Sequence, residues 1–240
     1  MYKRILLKLS GEALKNGKQD SIIDIDYLNT LAKTIKDLSN EGIEIAVVIG
    51  AGNIWRGQIA ESVGLDRRKA DYMGMFGTVI NAVTLASVLD NNGIKTEVFS
   101  ALGDVKGTCK KYDKKAAKDA LKAKKVTFLS GGTGKPFFTT DTAAVMRALE
   151  LECDAILMGK NGVEGIYDKD PTKERGARFI KDITYDEILE MKLKVMDLSA
   201  VELIKDKDID IRVFSMGDLS NFKRVVNGES IGTTCHREGK

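Results

Sequence analysis

One histidine, two prolines and three cysteines are all that 240 residues contain of these types, and each scarcity removes a class of chemistry. The histidine, His236, stands near the end of the chain. A Ser-His-Asp or Cys-His nucleophile would have to recruit that one tail residue, and a histidine-based metal site would fare no better. Catalysis therefore has to rest on lysine, arginine, aspartate, glutamate and backbone amides, assisted at most by a hard cation. Cys109, Cys153 and Cys235 are odd in number, far apart and without metal-ligand spacing, which argues against an oxidised framework. Cys153 heads an apolar run and reads as a small buried side chain. Pro136 and Pro171 both fall between periodic segments, as loop prolines do. No apolar run approaches the ~20 residues that span a bilayer. Met1, Tyr2, Lys3 and Arg4 lead straight into a strand pattern rather than a signal peptide. A cytoplasmic protein without a membrane partner is the expectation. The net charge of +3 is spread along the chain, too little to argue for nucleic acid.

What is present is ordinary in bulk and specific in detail. Hydrophobic residues at 43% and charged residues at 30% fit a globular chain with ample core. Strand and helix signals alternate. Strands are expected over 5–9, 43–49, 95–100, 126–130, 153–158 and 209–214, with an edge strand over 228–235. Helices are expected over 26–41, 66–91, 113–124, 141–151, 184–206 and 218–226. The lysine-rich run 110–125 reads as the wet side of a helix with apolar positions at Ala116, Ala117, Ala120 and Leu121. The alternation predicts an α/β chain, a three-layer αβα sandwich with a mainly parallel sheet. Its strands are apolar throughout, as burial on both faces requires. No linker or repeat divides the chain, so one domain is expected over 1–240. The helix near 70–90 is apolar nearly all round, through Tyr72, Met73, Met75, Phe76, Val79, Ile80, Val83, Leu85, Val88 and Leu89. It is either a central helix or one with a face against another subunit.

In open parallel sheets, ligands bind beyond the carboxyl ends of the strands. Four predicted strand ends carry glycine or small polar residues: Ser10 and Gly11; residues 50–57; residues 131–141; and residues 159–171. Neither the ATPase P-loop signature nor the dinucleotide fingerprint is among them. In the third, Gly131, Gly132 and Gly134 precede Thr139, Thr140 and Asp141 at a helix start, where free N–H groups favour an anion. Lys8 interrupts an apolar strand and is a candidate for neutralising phosphate oxygens; an edge lysine reaching water is the plain alternative. Arg56 could grip a phosphate with its guanidinium fork, or be an exposed loop arginine. Asp141 could serve the site or simply cap its helix.

These segments together resemble the amino acid kinase family, and within it the branch that phosphorylates UMP. The resemblance runs nearly the whole chain, through residues 2–14, 48–53 with Arg56 and Gly57, 71–75, 132–141 and 193–197. It implies the family fold, a homohexamer, and transfer of a phosphoryl group from ATP, with Mg²⁺, to UMP for pyrimidine nucleotide synthesis. By resemblance, Lys8, Leu9, Ser10, Gly11, Gly52, Arg56, Asn161, Tyr167 and Asp170 bind ATP. Ala51, Asp71, Thr133, Gly134, Lys135, Pro136, Phe137, Phe138, Thr139 and Thr140 bind UMP. Lys8, Arg56 and Asp141 are the catalytic candidates. No metal ligand is assigned beyond Asp141 orienting Mg²⁺ or the phosphate-binding lysines. The acceptor half would run roughly 1–150 and the ATP half roughly 151–240. UTP inhibition and a GTP effector are responses the resemblance raises, although residues 15–22 lack the glycine-rich pattern tied to GTP activation. Ala51 and Lys135 stand where the family commonly has glycine and asparagine. An acceptor that is already a phosphate is nucleophilic at neutral pH, so this chemistry tolerates the shortage of histidine.

Two other readings share part of this pattern. A relative acting on a carboxylate or carbamate shares the glycine loops, but the aromatic pair Phe137 and Phe138 suits a nucleobase better. A non-catalytic oxyanion- or nucleotide-binding module shares the fold, but would not need both Lys8 and Asp141.

Overall fold

The continuously apolar stretches become the inner strands of one sheet. In the computed structural model, which describes residues 2–15, 17, 21–160, 162–193 and 195–239, the elements in chain order are Arg4–Leu9 (β1), Gly11–Lys15 (α1), Ile25–Asn40 (α2), Glu44–Ile49 (β2), Gly57–Ser62 (α3), Arg67–Asn91 (α4), Thr96–Ser100 (β3), Lys110–Lys111 (β4), Lys114–Lys122 (α5), Val126–Ser130 (β5), Thr140–Leu151 (α6), Ala155–Lys160 (β6), Ile166–Tyr167 (β7), Phe179–Ile180 (β8), Asp182–Thr184 (β9), Tyr185–Glu190 (α7), Leu198–Ile204 (α8), Asp210–Ser215 (β10), Ser220–Val226 (α9) and Thr233–His236 (β11). Nine strands form the sheet in the order β4-β3-β5-β2-β1-β6-β10-β11-β9, and β7 pairs with β8 apart from it. Every pairing in the large sheet is parallel except β10 with β11.

Residues alternate between two cores, one on each side of the sheet. On β1, Ile5, Leu7 and Leu9 join α2, α4 and α9 through Leu28, Leu31, Leu85, Leu89, Phe222 and Val225. Leu6 faces the other way, with Val48 and Met158, toward Leu121 of α5, Val145 of α6 and Val201 of α8. This two-sided burial is why alternation is absent from the strand sequences. Lys8 lies in register with Val48 of β2 and Met158 of β6. It therefore projects on the α6 side of a strand with neighbours on both flanks, and the edge-lysine reading is excluded.

Three expectations needed correction at the sheet margins. The strand predicted over 228–235 is β11, but it is not an edge: it pairs with β10 on one side and β9 on the other. Lys110 and Lys111 leave the predicted helix face to form β4, an outer strand beside β3. Ala116 is exposed, and only Ala117, Ala120 and Leu121 of α5 are buried.

The helix α4 settles its all-round apolarity by dividing it. Ala70, Met75, Ala82, Leu85, Ala86 and Leu89 are buried, against β2, β3, β5, α2 and α3. Met73, Phe76 and Ile80, at helical spacing, are 40%, 59% and 50% exposed, a stripe no other part of the chain covers among the described residues. By length and average apolarity α4 could cross a bilayer, which the sequence reading did not anticipate. Its buried half against the sheet, including the polar Thr78 and Asn81, is that of a core helix.

At the far margin His236 of β11 donates from Nε2 to Asp182 Oδ1 of β9 at 2.8 Å. Burial alone would lower the imidazole pKa. The hydrogen bond and charge of Asp182 outweigh it, with the Arg237 carbonyl adding to them, and the pKa is raised above its usual 6.5. A group whose folded pKa is raised contributes stability below its unfolded pKa and loses it as pH climbs through the folded value. The unfolding temperature of the wild-type chain should therefore fall relative to that of His236→Gln as pH rises from 6 to 8. Parallel curves for the two proteins would show that this pair contributes nothing.

Candidate active site

The loops after β1 and β2 touch, and glycine is what lets them. A Cβ on Gly11 would lie 2.5 Å from both Asn53 Oδ1 and the Gly50 carbonyl, closer than real side chains come. Asn53 and Asn81 exchange amide hydrogen bonds at 3.0 and 2.8 Å. Asn53 also donates to the Ile22 carbonyl, and Asn81 to the Gly50 carbonyl, both at 2.8 Å. This buried pair bolts the β2 loop to α4, and losing one amide would strand the other at a cost of about 1–3 kcal/mol. Ala51 is buried against α4, where a Cβ on Gly77 would come within 2.8 Å of its methyl. The methyl that replaces the family's usual glycine is thus housed by a glycine on the facing helix.

On the other side of the sheet edge, Thr139 caps α6, its hydroxyl oxygen accepting from the N–H groups of Asp141 and Thr142 at 3.1 and 3.2 Å. Thr139 is the cap, which frees Asp141 from that duty. Asp141 Oδ1 instead meets Lys8 Nζ at 2.5 Å, both side chains being about four-fifths or more buried. Thr139 donates its own proton to Asp197, which also accepts from Ser199, the Ala200 amide and Thr142. Burial would raise the Asp197 pKa, but these hydrogen bonds together hold it below the usual value. Lys160, at the end of β6, donates to the Val195 carbonyl at 2.7 Å.

Between the β2 loop, α4 and the β5 loop lies a cavity of about 650 Å³. Ala51, Gly52, Asp71, Thr133, Phe138, Thr139 and Thr140 from the predicted set border it, as do Trp55, Arg67, Met75 and Thr78. Thr78 Oγ1 accepts from the Gly131 amide at 2.8 Å. Gly131 has a φ of 74° with the Ala101 amide 3.0 Å from where a Cβ would be, so no other residue fits that turn. Asp71 Oδ2 accepts from the Phe137 amide at 2.7 Å, while Oδ1 pairs with Arg67 at 2.9 Å. Asp71 thereby ties α4 to the tip of the β5 loop and leaves Phe137 at the rim, under the Arg67 guanidinium. Gly134, Lys135, Pro136 and Phe137 do not line the cavity. Lys135 is exposed, and its backbone, rather than its ammonium, engages Thr133.

The predicted ATP residues are less gathered. Leu9 is buried, Ser10 joins β1 to α1, and Gly11 opens α1 against the β2 loop. Arg56 is 55% exposed and paired with Glu12 at 2.7 Å, with a further contact to the Gly52 carbonyl. Tyr167 stacks edge-on to Phe179 across the β7–β8 hairpin at 5.4 Å. Asp170 accepts from the amide and hydroxyl of Thr172. The partners of Tyr167 and Asp170 are thus local to the 166–180 segment, not Lys8 or Arg56. Asn161 lies outside the described residues.

Asp197, Thr78, Asn81, Arg67, Trp55 and Lys160 were not singled out from sequence, although Asp197 ends a recognised segment. Thr78 and Asn81 had a partial signal: with Thr84 and Ser87 they interrupt the apolar stretch 72–89, but only the fold shows that these two face inward. Lys160 had none and Asp197 only its place at the end of that segment, since their contacts depend on which loops meet.

The comparisons with known proteins agree with one another. The sequence pattern of the amino acid kinase family matches residues 3–215. The uridylate kinase of Streptococcus thermophilus is 45% identical over 239 residues, covering 100% of this chain and 97% of the relative. The crystal structure of the UMP kinase of Bacillus anthracis superposes with a TM-score of 0.95 at 34% identity, covering 99% of this chain and 97% of that one. That of Ureaplasma parvum gives 0.92 at 36%, covering 99% and 100%. With its mostly parallel nine-stranded sheet, its glycine loops at the carboxyl edge and a family match across most of its length, the chain belongs to the amino acid kinase family.

Proposed function

We propose that the protein is a UMP kinase: it transfers the γ-phosphoryl group of ATP to UMP, giving UDP and ADP. The observation that carries this reading is the cavity of about 650 Å³ bordered by Phe138, Thr139, Thr140, Asp71 and Thr133, with the Lys8–Asp141 pair at the same helix start. A phosphate alone would need neither the aromatic ring nor the volume; a nucleoside monophosphate uses both. Likeness to uridylate and UMP kinases over the full length supports uracil as the base, against a carboxylate or carbamate acceptor.

The transfer needs no base. An oxygen of the UMP phosphate attacks the γ-phosphorus, the bond from that phosphorus to the bridging oxygen of the β-phosphate breaks, and ADP leaves with the electron pair. Lys8 would neutralise the oxygens between donor and acceptor, with Asp141 holding its ammonium in place. Arg56 would leave Glu12 for phosphate, a charge that forks onto it better than one carboxylate does. The cavity-lining residues would orient UMP, Asp71 through the ribose. Gly134, Lys135, Pro136 and Phe137, at its rim, would close over the base. Ser10, Gly11, Gly52, Tyr167 and Asp170 would take ATP. Mg²⁺ would come with ATP and offset the charge of its phosphates, and Asp141 is the carboxylate that borders their place. In this division the acceptor half spans roughly 1–150 and the ATP half roughly 151–240.

The finer reading extends to the assembly. The exposed stripe of Met73, Phe76 and Ile80, together with the exposed apolar residues Ile59 and Val63 in and after α3, supports self-association through α4, within the hexamer the resemblance implies. The three buried, unpaired cysteines suit a reducing cytoplasm, and the product suits pyrimidine nucleotide synthesis, with UTP and GTP as candidate effectors.

ADP release measured with UMP, CMP, acetylglutamate and carbamate tests the function; release no faster with UMP than without acceptor ends the reading. Lys8→Ala should lower turnover by about 10²-fold, the scale of one preorganised charge contact, and near-normal turnover would remove Lys8 from the mechanism. Asp71→Asn keeps an oxygen for the Phe137 amide, so the loop should hold. The apparent KM for UMP should then rise about tenfold, as for one hydrogen bond to a charged group, and an effect on ATP alone would overturn the ribose role. Ile80→Asp should lower the mass measured by light scattering from that of a hexamer, whereas a wild-type monomer would refute the assembly.

A further inference from the structure

Lys160 is a lysine whose surroundings leave it under-used. It closes β6, the strand beside β1, and stands two residues beyond Met158, which is in register with Lys8. Residues two apart on a strand share a face, so Lys8 and Lys160 project from the same face at the same carboxyl edge. Among the described residues the only hydrogen-bond partner of Lys160 is the Val195 carbonyl. An ammonium carries three donors, and only one of them meets a partner among the described residues. The nearby carboxylate, Asp141, is already occupied by Lys8 at 2.5 Å. Burial first, and the charge of Lys8 second, lower the Lys160 pKa, with Asp141 acting against them. Two ammonium groups thus share one carboxylate in a partly dehydrated cleft. Such an excess of positive charge is costly unless an anion completes it.

We infer that Lys160 is a further phosphate-binding residue of the transfer site, meeting the β- and γ-phosphate oxygens of the donor nucleotide. The donor side follows from its place. Lys160 sits on β6, whose following segment carries Tyr167 and Asp170, while the cavity assigned to UMP is lined from residues 51–140 and lies on the other flank of Lys8. Val195 holds the ammonium at that edge, and the same segment ends in Asp197, which fixes the cap of α6 through Thr139. In the transfer step Lys160 would offset the charge that gathers on the bridging oxygen as the bond to the γ-phosphorus breaks; no proton moves. The inference rests on the UMP kinase reading for its nucleotide, though not for its binding test.

The test is Lys160→Met, which keeps the length and loses the charge, with Lys160→Gln as a second variant should the first not fold. ADP and AMP binding is measured by calorimetry without turnover. A phosphate contact predicts that ADP affinity falls at least tenfold while AMP affinity, lacking the β-phosphate, is unchanged. UMP-dependent turnover should fall by about 10²-fold, with the KM for UMP little altered. Equal losses for ADP and AMP would mean that Lys160 only tethers the Val195 segment, and unchanged ADP affinity would remove it from the site; either overturns the inference. Absence of UMP-dependent turnover in the wild-type protein would defeat the UMP kinase reading alone, because the ADP and AMP comparison still decides the role of Lys160.

Discussion

The ion pair between Lys8 and Asp141 is the contact around which the site is arranged. A charged group on the middle strand of a parallel sheet has apolar neighbours on both flanks, and here they are Val48 and Met158. It is tolerable only where a counter-charge meets it. That counter-charge has to come from above the sheet edge, and the first turn of α6 supplies it. Placing Asp141 there requires α6 to begin at Thr140. Thr139 must then serve as the cap, and Asp197 must hold Thr139. One ammonium thus draws together β1, the first turn of α6 and the segment ending in Asp197.

Around this pair the loops are held largely by polar contacts to α4, most of them buried. Asn53 and Asn81 lock the β2 loop to α4, Thr78 locks the β5 loop to it, and Asp71 locks the tip of that loop. Each uses a helix residue to satisfy backbone or amide groups that glycine-rich turns leave open. Rigid loops suit a reaction in which catalysis is mostly positioning and charge neutralisation. They also make the scarcity of histidine intelligible: when the acceptor is already an anion, there is no proton for an imidazole to take.

The fold and the outline of the site were legible because their signals are local. Apolar runs bounded by glycine mark β1, β2, β5 and β6, and 3.6-residue periodicity marks α2. Lys8 stood out as a charge in such a run. The fate of Lys8 was not legible, since whether β1 is an edge or a centre depends on strands more than 30 residues away in sequence, β2 and β6. The margin strands β4 and β9 are two and three residues long, too short to carry a period. Ala51 looked like an intrusion into a glycine loop, and only the position of Gly77 across from it shows where the methyl goes.

Sequence by itself determined the order of elements, the parallel sheet, the glycine loops at its carboxyl edge and the family to which they belong, because hydrophobic period and turn chemistry are written residue by residue. Tertiary structure alone decided which charges share that edge: that Asp141 answers Lys8, that Arg56 answers Glu12, that Asp197 rather than Asp141 secures the α6 cap, and that Lys160 stands beside Lys8 without a carboxylate partner of its own among the described residues. These neighbours lie up to about 150 positions apart in the chain, and their energies depend on distance and dehydration, neither of which has a sequence pattern.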